Sequence, residues 1–352
     1  MRKIFLTAGF LLSLCNAVEA GNVDTFGIGA KATALGGAFS AYADDVYAVY
    51  YNPAGLTQIE SPTVSVGFEV LNPTLKIHDF KAVDGDGTPV LPFGVSFEDT
   101  SDNLVVPHAG FATRLFENIY FGIAAYVPYG LHIKWDDEVS RNPSAYNGFE
   151  SYYLRAVVTP TVAVKLTDKL AAGFGVSFGR SEAGTQRRLY FPTSPTINGR
   201  VIKGDMSDDF NVSFNVGFLY KPYDNLSVGL TYRSRTYTDF EGTVEVVGID
   251  KVHASTKIDH PEQLQIGVKY QPNKKLTLTA DVVWTNWSAV EDYTVKFSRP
   301  LLGKTEEYFK RDWKDTRQVR FGVEYKWNEI VTLRGGYFYD PSPIPDHTFD
   351  ML

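Results

Sequence analysis

From Thr63 almost to its last residue, the chain alternates apolar side chains with small or polar ones at a period of two. Nowhere does it hold 18 consecutive apolar residues. Together these facts constrain the fold more than any motif does. Period two is the signature of a strand with two unlike faces, and a bilayer-crossing helix needs about 20 apolar residues in a row. The clearest segment sets Leu170, Ala172, Phe174, Val176 and Phe178 against Ala171, Gly173, Gly175, Ser177 and Gly179. Another sets Phe210, Val212, Phe214, Val216, Phe218 and Tyr220 against Asn211, Ser213, Asn215 and Gly217. Eleven such strands are predicted, beginning at Thr63 and ending near Tyr339.

The connections between them alternate in length. Glu117-Asn118, Thr167-Asp168-Lys169, Tyr223-Asp224-Asn225, Pro272-Asn273-Lys274 and Asn328-Glu329 are tight turns. Residues 74–103, 129–150, 184–205, 234–258 and 288–312 read as long loops. Aromatic residues gather at strand ends: Tyr220, Tyr232, Tyr270, Trp284, Trp287, Tyr325 and Trp327. Short turns on one side, long loops on the other, an apolar outer face and aromatic girdles describe an antiparallel transmembrane β-barrel of the outer-membrane type. A mean hydropathy of −0.16 does not oppose this, because only alternate residues would face lipid. A soluble all-β protein would also alternate, but its polar face would be crowded with charge. Here that face is mostly Gly, Ser and Asn with isolated charges, as a lumen requires.

The N-terminus differs. Arg2 and Lys3 precede the apolar run Ile4 to Leu14, and Val18-Glu19-Ala20 offers a small-residue cleavage site. Residues 1–20 are therefore expected to be a secretory signal. Cys15, the single cysteine, lies within it after Leu14, so no lipidation and no disulfide are expected. Residues 21–60 follow as a run of small side chains, including Gly27, Gly29, Gly36, Gly37, Ala38 and Ala41, and end in the turn Asn52-Pro53-Ala54. Small residues let one backbone approach another closely. This segment is expected to be a compact plug, and residues 61–352 the barrel around it.

Chemistry-bearing motifs are weak. Gly27-x-Gly29-x-x-Ala32 imitates a dinucleotide fingerprint, but no strand precedes it and no βαβ unit follows. Asp84-x-Asp86 lacks the remaining positions of a calcium loop. The six histidines show no metal spacing, and His108 has no serine nominated beside it for hydrolysis. A formal charge of −7 gives no basic patch for nucleic acid. No enzyme activity, metal or cofactor is expected. By strand parity Arg155, Lys165, Arg233, Lys269, Arg320 and Lys326 face inward. Arg155, Arg320 and Lys326 are candidate partners for a ligand carboxylate, with pairing to Glu324 and similar residues as the plainer role.

Gly36-Gly37-Ala38, Ala43-Asp44-Asp45, Tyr51-Asn52-Pro53-Ala54-Gly55-Leu56 and Val127-Pro128-Tyr129-Gly130-Leu131 resemble the FadL family of outer-membrane transporters for long-chain fatty acids and aromatic hydrocarbons. The resemblance runs from about residue 22 to the end. It implies a fourteen-stranded barrel with an N-terminal hatch, capture of ligand between outer loops, and lateral exit through a side opening at a kink in the third strand. Gly36, Gly37, Asp44, Asp45, Asn52, Pro53 and Ala54 would then belong to the hatch and its gating. Gly122, Tyr126 and Pro128 would mark the side opening, since Gly and Pro weaken a ladder.

Eleven strands depart from that pattern, because bacterial single-chain barrels have even numbers. The barrel is therefore expected to lack about three C-terminal strands. A monomer in the Gram-negative outer membrane is expected, touching lipid and lipopolysaccharide, that passes hydrophobic compounds downhill. A general diffusion porin or a surface-adhesion barrel is the alternative. The residues do not choose between fatty acid and aromatic hydrocarbon.

Overall fold

A computed structural model describes residues 27–345 apart from 73, 82, 84–86, 90–93 and 291. The expected signal segment, Cys15, Asp84-x-Asp86 and the last seven residues therefore lie outside the described residues. After the N-terminal segment come β1 (Thr63–Leu71), β2 (Lys76–Phe80), β3 (Val95–Glu98), β4 (Leu104–Arg114) and β5 (Ile119–Lys134). They are followed by β6 (Glu150–Lys165), β7 (Leu170–Arg188), β8 (Val201–Tyr223), β9 (Leu226–Arg233), β10 (Phe240–Val246) and β11 (Asp250–Thr256). The chain finishes with β12 (Gln263–Tyr270), β13 (Leu276–Thr285), β14 (Tyr293–Leu301), β15 (Lys304–Phe309), β16 (Thr316–Lys326) and β17 (Thr332–Tyr339).

One antiparallel path forms the wall, in the order β1-β4-β5-β6-β7-β8-β9-β12-β13-β16-β17. These are the eleven strands that alternation predicts. Among the described residues β1 and β17 end the path and do not pair with each other. The apolar face points outward and stays exposed: Val66 is 78% accessible, Phe68 67% and Phe210 68%. In a bilayer those side chains meet lipid rather than water.

Three long connections are not loops. Residues 74–103 contain the hairpin β2–β3. The stretch to residue 258 contains β10 and β11, and residues 288–312 contain β14 and β15. β7 and β8 run 19 and 23 residues, although about 9–11 suffice to cross a bilayer. The excess of β8 carries the outer sheet: β10 pairs with β8, β11 with β10, β14 with β11 and β15 with β14. Its inner face closes over a small apolar core of Leu189, Ile202, Val244, Val246 and Val252. Turn residues such as Gly248 and Gly303 interrupt the apolar period there and hide the strands from a sequence reading. Trp287 is also no girdle residue. It is 3% exposed and packs edge-on against Trp313.

β5 breaks the regular wall. Tyr126 pairs with Val157 and Tyr129 with Arg155, so Val127 and Pro128 together face the single residue Ala156. That is a β-bulge, in which one strand carries an extra residue and bends. Pro128 has no N–H to give the ladder, which favours the break there. Pairing between β4 and β5 runs only from Arg114↔Tyr120 to Ala109↔Ala125. Beyond Ala125, among the described residues, β5 continues along β6 alone and leaves the Leu104–His108 half of β4 to β1. A second bulge sits in β8, where Asp209 and Phe210 face Arg180.

Candidate functional site

The lumen is filled by the N-terminal segment. It starts with the short helix α1 (Ala30–Ala34) and turns at Gly36 and Gly37, whose φ of 64° and 73° are left-handed. It then passes Phe39 and Tyr42 into α2 (Ala48–Tyr51) and a 3₁₀ turn, Pro53–Gln58. Leu35, Phe39, Val46, Val49, Tyr51 and Leu56 are fully buried. The Phe39 ring packs edge-on against Tyr51 at 5.3 Å between centroids. Asn52 holds the turn together. Its Oδ1 accepts from the Ala54 N–H at 3.1 Å, and its Nδ2 donates to the carbonyls of Ser40 (2.7 Å) and Phe218 (3.0 Å). Pro53 stands at the first position of the turn, where a missing N–H costs nothing.

The wall makes room for this plug with glycines. Gly173 faces Gly217, Gly229 faces Gly267, and Gly322 faces Gly336, each pair directly opposite across a ladder. A Cβ on Gly173 or Gly217 would overlap Pro53, on Gly229 the Ser40 carbonyl, and on Gly336 the backbone of Gly36. Gly36 in turn lies against the Tyr337 backbone, and Gly37 against the Arg320 guanidinium. Cross-strand glycine pairs weaken a sheet, so their use here reflects close approach of the hatch.

Polar wall residues supply the remaining attachments. Asn215 donates to the Val49 carbonyl (2.7 Å), Thr231 to that of Tyr51 (2.9 Å) and Arg233 to that of Tyr50 (3.1 Å). Asp281, 2% exposed, accepts from the Ser40 N–H at 3.0 Å and from Gln265 at 2.7 Å. Tyr42 donates to Glu324 at 2.8 Å, and Arg334 holds the other Glu324 oxygen at 2.7 Å. The ammonium groups of Lys31 and Lys269 lie 4.0 and 4.1 Å from the centre of the Tyr42 ring, within cation–π range. Burial, and then the Asp44 charge, push the Tyr42 hydroxyl well above the usual phenol range, so it donates as a neutral group.

The candidate charges divide. Asp44 is paired with Lys31 at 2.7 Å. Asp45 accepts the Tyr47 N–H at 2.9 Å; burial pushes its carboxyl up to about 6, with that bond opposing and Asp44 adding to the rise. A carboxyl that holds its proton more tightly in the packed hatch than in an unfolded chain favours packing at low pH. That advantage is lost as pH climbs from about 4 through about 6. Amide exchange in residues 43–51 is therefore expected to be slower at pH 5 than at pH 7.5 once corrected for intrinsic rate. Asp45→Asn should flatten that difference; an unchanged difference would refute the role of Asp45.

Arg155 does lie inside, 3% exposed, but its Nε already donates to Asn211 at 2.8 Å and its Nη2 to Ser213 at 3.1 Å. Arg320 donates to Gln318, and Lys326 is exposed at its strand end. Glu324 is held by Tyr42 and Arg334 rather than by Arg320 or Lys326.

The distortion of β5 falls at Val127 and Pro128, next to Tyr126, and not at Gly122. Gly122 sits in regular register between Ala112 and Thr161. A Cβ there would come 2.9 Å from Leu56 and Val49, so it is a seat for the hatch. Among the described residues Tyr126 donates no hydrogen bond to the plug. Its hydroxyl takes one from Thr159 at 3.0 Å, and its ring meets Tyr50 edge-on at 5.4 Å. Past the bulge Tyr129 stacks on the buried His260 ring at 4.6 Å, a contact no local pattern announces. His108 faces the hatch, bonded to the Tyr47 hydroxyl. Among the described residues no group of three or more His, Cys, Asp or Glu could hold a metal.

Beyond the wall, the outer hairpins and loops form a partly open cleft of about 510 Å³ whose lining includes Phe80, Tyr146, Tyr190, Phe191, Phe297 and Leu301. The Arg187–Glu307 pair, at 2.7 Å, with Lys81 and Lys304, adds charge to its lining.

A family model described as outer membrane protein transport protein (OMPP1/FadL/TodX) matches residues 11–352. An outer membrane protein of Neisseria meningitidis serogroup B is 25% identical over an alignment of 397 residues, taking in 100% of this chain and 83% of that protein. The long-chain fatty acid transport protein of Escherichia coli O6:H1 is 24% identical, over 90% of this chain and 76% of its own. Among solved structures, a Pseudomonas aeruginosa FadL homologue superposes with a TM-score of 0.78 at 19% identity, covering 94% of this chain and 82% of its own. The Ralstonia pickettii toluene transporter TbuX gives 0.72 at 21% identity, covering 89% and 86%. With a plugged antiparallel wall, an outward apolar face and a family model spanning nearly its whole length, the chain belongs to the FadL/TodX family of outer-membrane transport proteins of Gram-negative cells.

Proposed function

We propose that the chain admits hydrophobic compounds, long-chain fatty acids or aromatic hydrocarbons, by passive diffusion from the outer loops to the side of the barrel. The observation that carries this reading is the combination of a filled lumen with a wall parted between β4 and β5. A filled lumen offers a hydrated solute no open channel. A lateral gap lets an apolar one enter the bilayer without returning to water. The loop cleft, at about 510 Å³ with its aromatic lining, is of a size for a small apolar ligand and serves as the capture site. Burial there contributes about 25 cal/mol per Å² of apolar surface. Residues 21–60 act as the hatch, with Gly36, Gly37 and Asn52-Pro53-Ala54 setting its fit and Asp44 and Asp45 its charge. Arg155 is positioned to meet a carboxylate that displaces Asn211 or Ser213. The same reading has the chain working as a monomer without catalysis, among lipids and lipopolysaccharide.

Cells lacking their own transporter and expressing this chain should take up labelled oleate or toluene, while proteoliposomes holding it should not swell in arabinose. Removal of residues 21–45 should abolish selective uptake, leaving either a sugar-permeable pore or no folded barrel. Unchanged selective uptake after that deletion would refute the hatch.

A further inference from the structure

The wall parts at a histidine. The last rung between β4 and β5 is Ala109↔Ala125, so His108 is the first β4 residue beyond it and stands at the foot of the side gap. It is 8% exposed. Its ring meets the Tyr47 ring edge-on at 4.8 Å, and its Nδ1 bonds the Tyr47 hydroxyl. That hydroxyl also accepts from Ser65 Oγ at 2.9 Å. A phenol has one proton. With Ser65 donating to the Tyr47 oxygen, the Tyr47 proton goes to Nδ1, and a neutral imidazole then carries its own proton on Nε2. Ser65, Tyr47 and His108 thus form a directed chain of bonds that ends in an N–H donor.

Among the described residues that Nε2 has no hydrogen-bond partner. Carboxylates on the neighbouring elements are engaged elsewhere: Glu69 of β1 accepts from Thr33 at 2.8 Å, and Asp45 from the Tyr47 N–H at 2.9 Å. The residue opposite His108 on β1 is Gly67, and the imidazole lies in the space a side chain there would fill. A Cβ on Gly67 would come 2.6 Å from Cε1 and 3.1 Å from Nε2, so the glycine leaves the donor edge uncovered. A buried donor without a partner costs stability, and its position at the gap supplies a reason to keep it.

We infer that the Nε2–H of His108 is a headgroup site at the foot of the side gap, and that it selects an amphiphile bearing a carboxylate over a bare hydrocarbon. This inference rests on the transport reading and narrows its substrate class. An apolar tail passes from protein to lipid without needing a polar partner. A carboxylate leaves water at high cost unless a donor meets it. A hydrogen bond to an ionised oxygen is about twice as strong as one between neutral groups, so a single well-placed N–H discriminates. Tyr47 and Ser65 are positioning residues, since they fix the tautomer that puts the proton on Nε2.

Two variants separate the two nitrogens. His108→Asn places an amide oxygen near Nδ1 and keeps an acceptor for Tyr47, but has no donor at Nε2. His108→Gln places an amide donor near Nε2 and gives up the Nδ1 acceptor. The probes are labelled oleate and labelled heptadecene, which is oleate without its carboxyl group. Supplied together to cells expressing the chain, their oleate-to-heptadecene uptake ratio should fall at least about tenfold in His108→Asn and stay within about threefold of native in His108→Gln. An unchanged ratio in His108→Asn, or an equal fall in both variants, overturns the assignment. A second measurement needs no transport. In nitrogen-labelled protein held in micelles, the histidine signal lost in His108→Asn should report a protonated Nε2. Oleate should shift it, heptadecene should not, and Tyr47→Phe should spread the proton over both nitrogens. No shift with excess oleate, or a proton on Nδ1 in the native protein, overturns the inference. A shift by oleate with no uptake of either probe would count against transport and support the site.

Discussion

Replacing Asn52 with alanine is expected to unseat the hatch while leaving the outer wall paired. The side chain is fully buried and makes three hydrogen bonds: to the Ala54 N–H, the Ser40 carbonyl and the Phe218 carbonyl. The first closes the turn, the second ties it to the preceding loop, and the third ties both to β8. Alanine leaves all three backbone groups without that partner. At about 1 kcal/mol or more for each, hatch packing should weaken by about 3 kcal/mol or more. Wall strands are held by their own ladders and should not follow. Amide exchange between residues 40 and 56 should rise by about a hundredfold, which is about 2.7 kcal/mol expressed as a rate ratio. Proteoliposomes should begin to swell in arabinose. Asn52→Asp separates the causes. It keeps an acceptor for the Ala54 N–H but turns a carboxylate on two carbonyl oxygens, so it should be at least as damaging as alanine. Protection equal to the native protein in both variants would mean that Asn52 fills space and does not hold the hatch.

Strand parity explains why so much of the wall was legible. A period of two needs only local sequence, and the inward row Ala171, Gly173, Gly175, Ser177 of β7 announces itself beside Leu170, Ala172, Phe174, Val176. All eleven wall strands follow from that rule. What parity cannot give is height. Gly173 and Gly217 read as two lumen glycines, and only the register shows them opposite each other beneath Pro53. The hatch anchors were hidden for the same reason. Asp281 and Ser40 are 241 residues apart, and Glu324 and Tyr42 are 282 apart. Their meeting depends on how the wall curves around the plug. Gly122 shows the converse error. Glycine weakens a ladder in principle, but here the same absence of a side chain serves close packing, and the ladder stays regular. The outer sheet escaped because β10 and β11 are short and extend a wall strand beyond the bilayer, where no lipid imposes a clean alternation.

Removing Pro128 alone is expected to abolish apolar uptake and leave a folded, plugged barrel. With one residue fewer, Val127 would face Ala156 singly. Tyr126 and Tyr129 would keep their present partners, Val157 and Arg155. The inward positions of Tyr126 and Tyr129 survive, as does the stack of Tyr129 on His260. What changes is the bend. A strand without a bulge twists less and can continue along its neighbour. The outer half of β5 would then be able to pair with Leu104–His108 of β4, with which it shares no ladder among the described residues. Each restored backbone bond contributes about 0.5–1.5 kcal/mol, so the wall gains stability as its gap closes. Uptake of labelled toluene and oleate should fall at least about tenfold, while the temperature at which the barrel unfolds on a gel holds or rises. This pairing of outcomes is what makes the test specific, because a damaged fold would lose both together. Full uptake by a stable Pro128 deletion would show that ligand leaves by a route other than the side of β5.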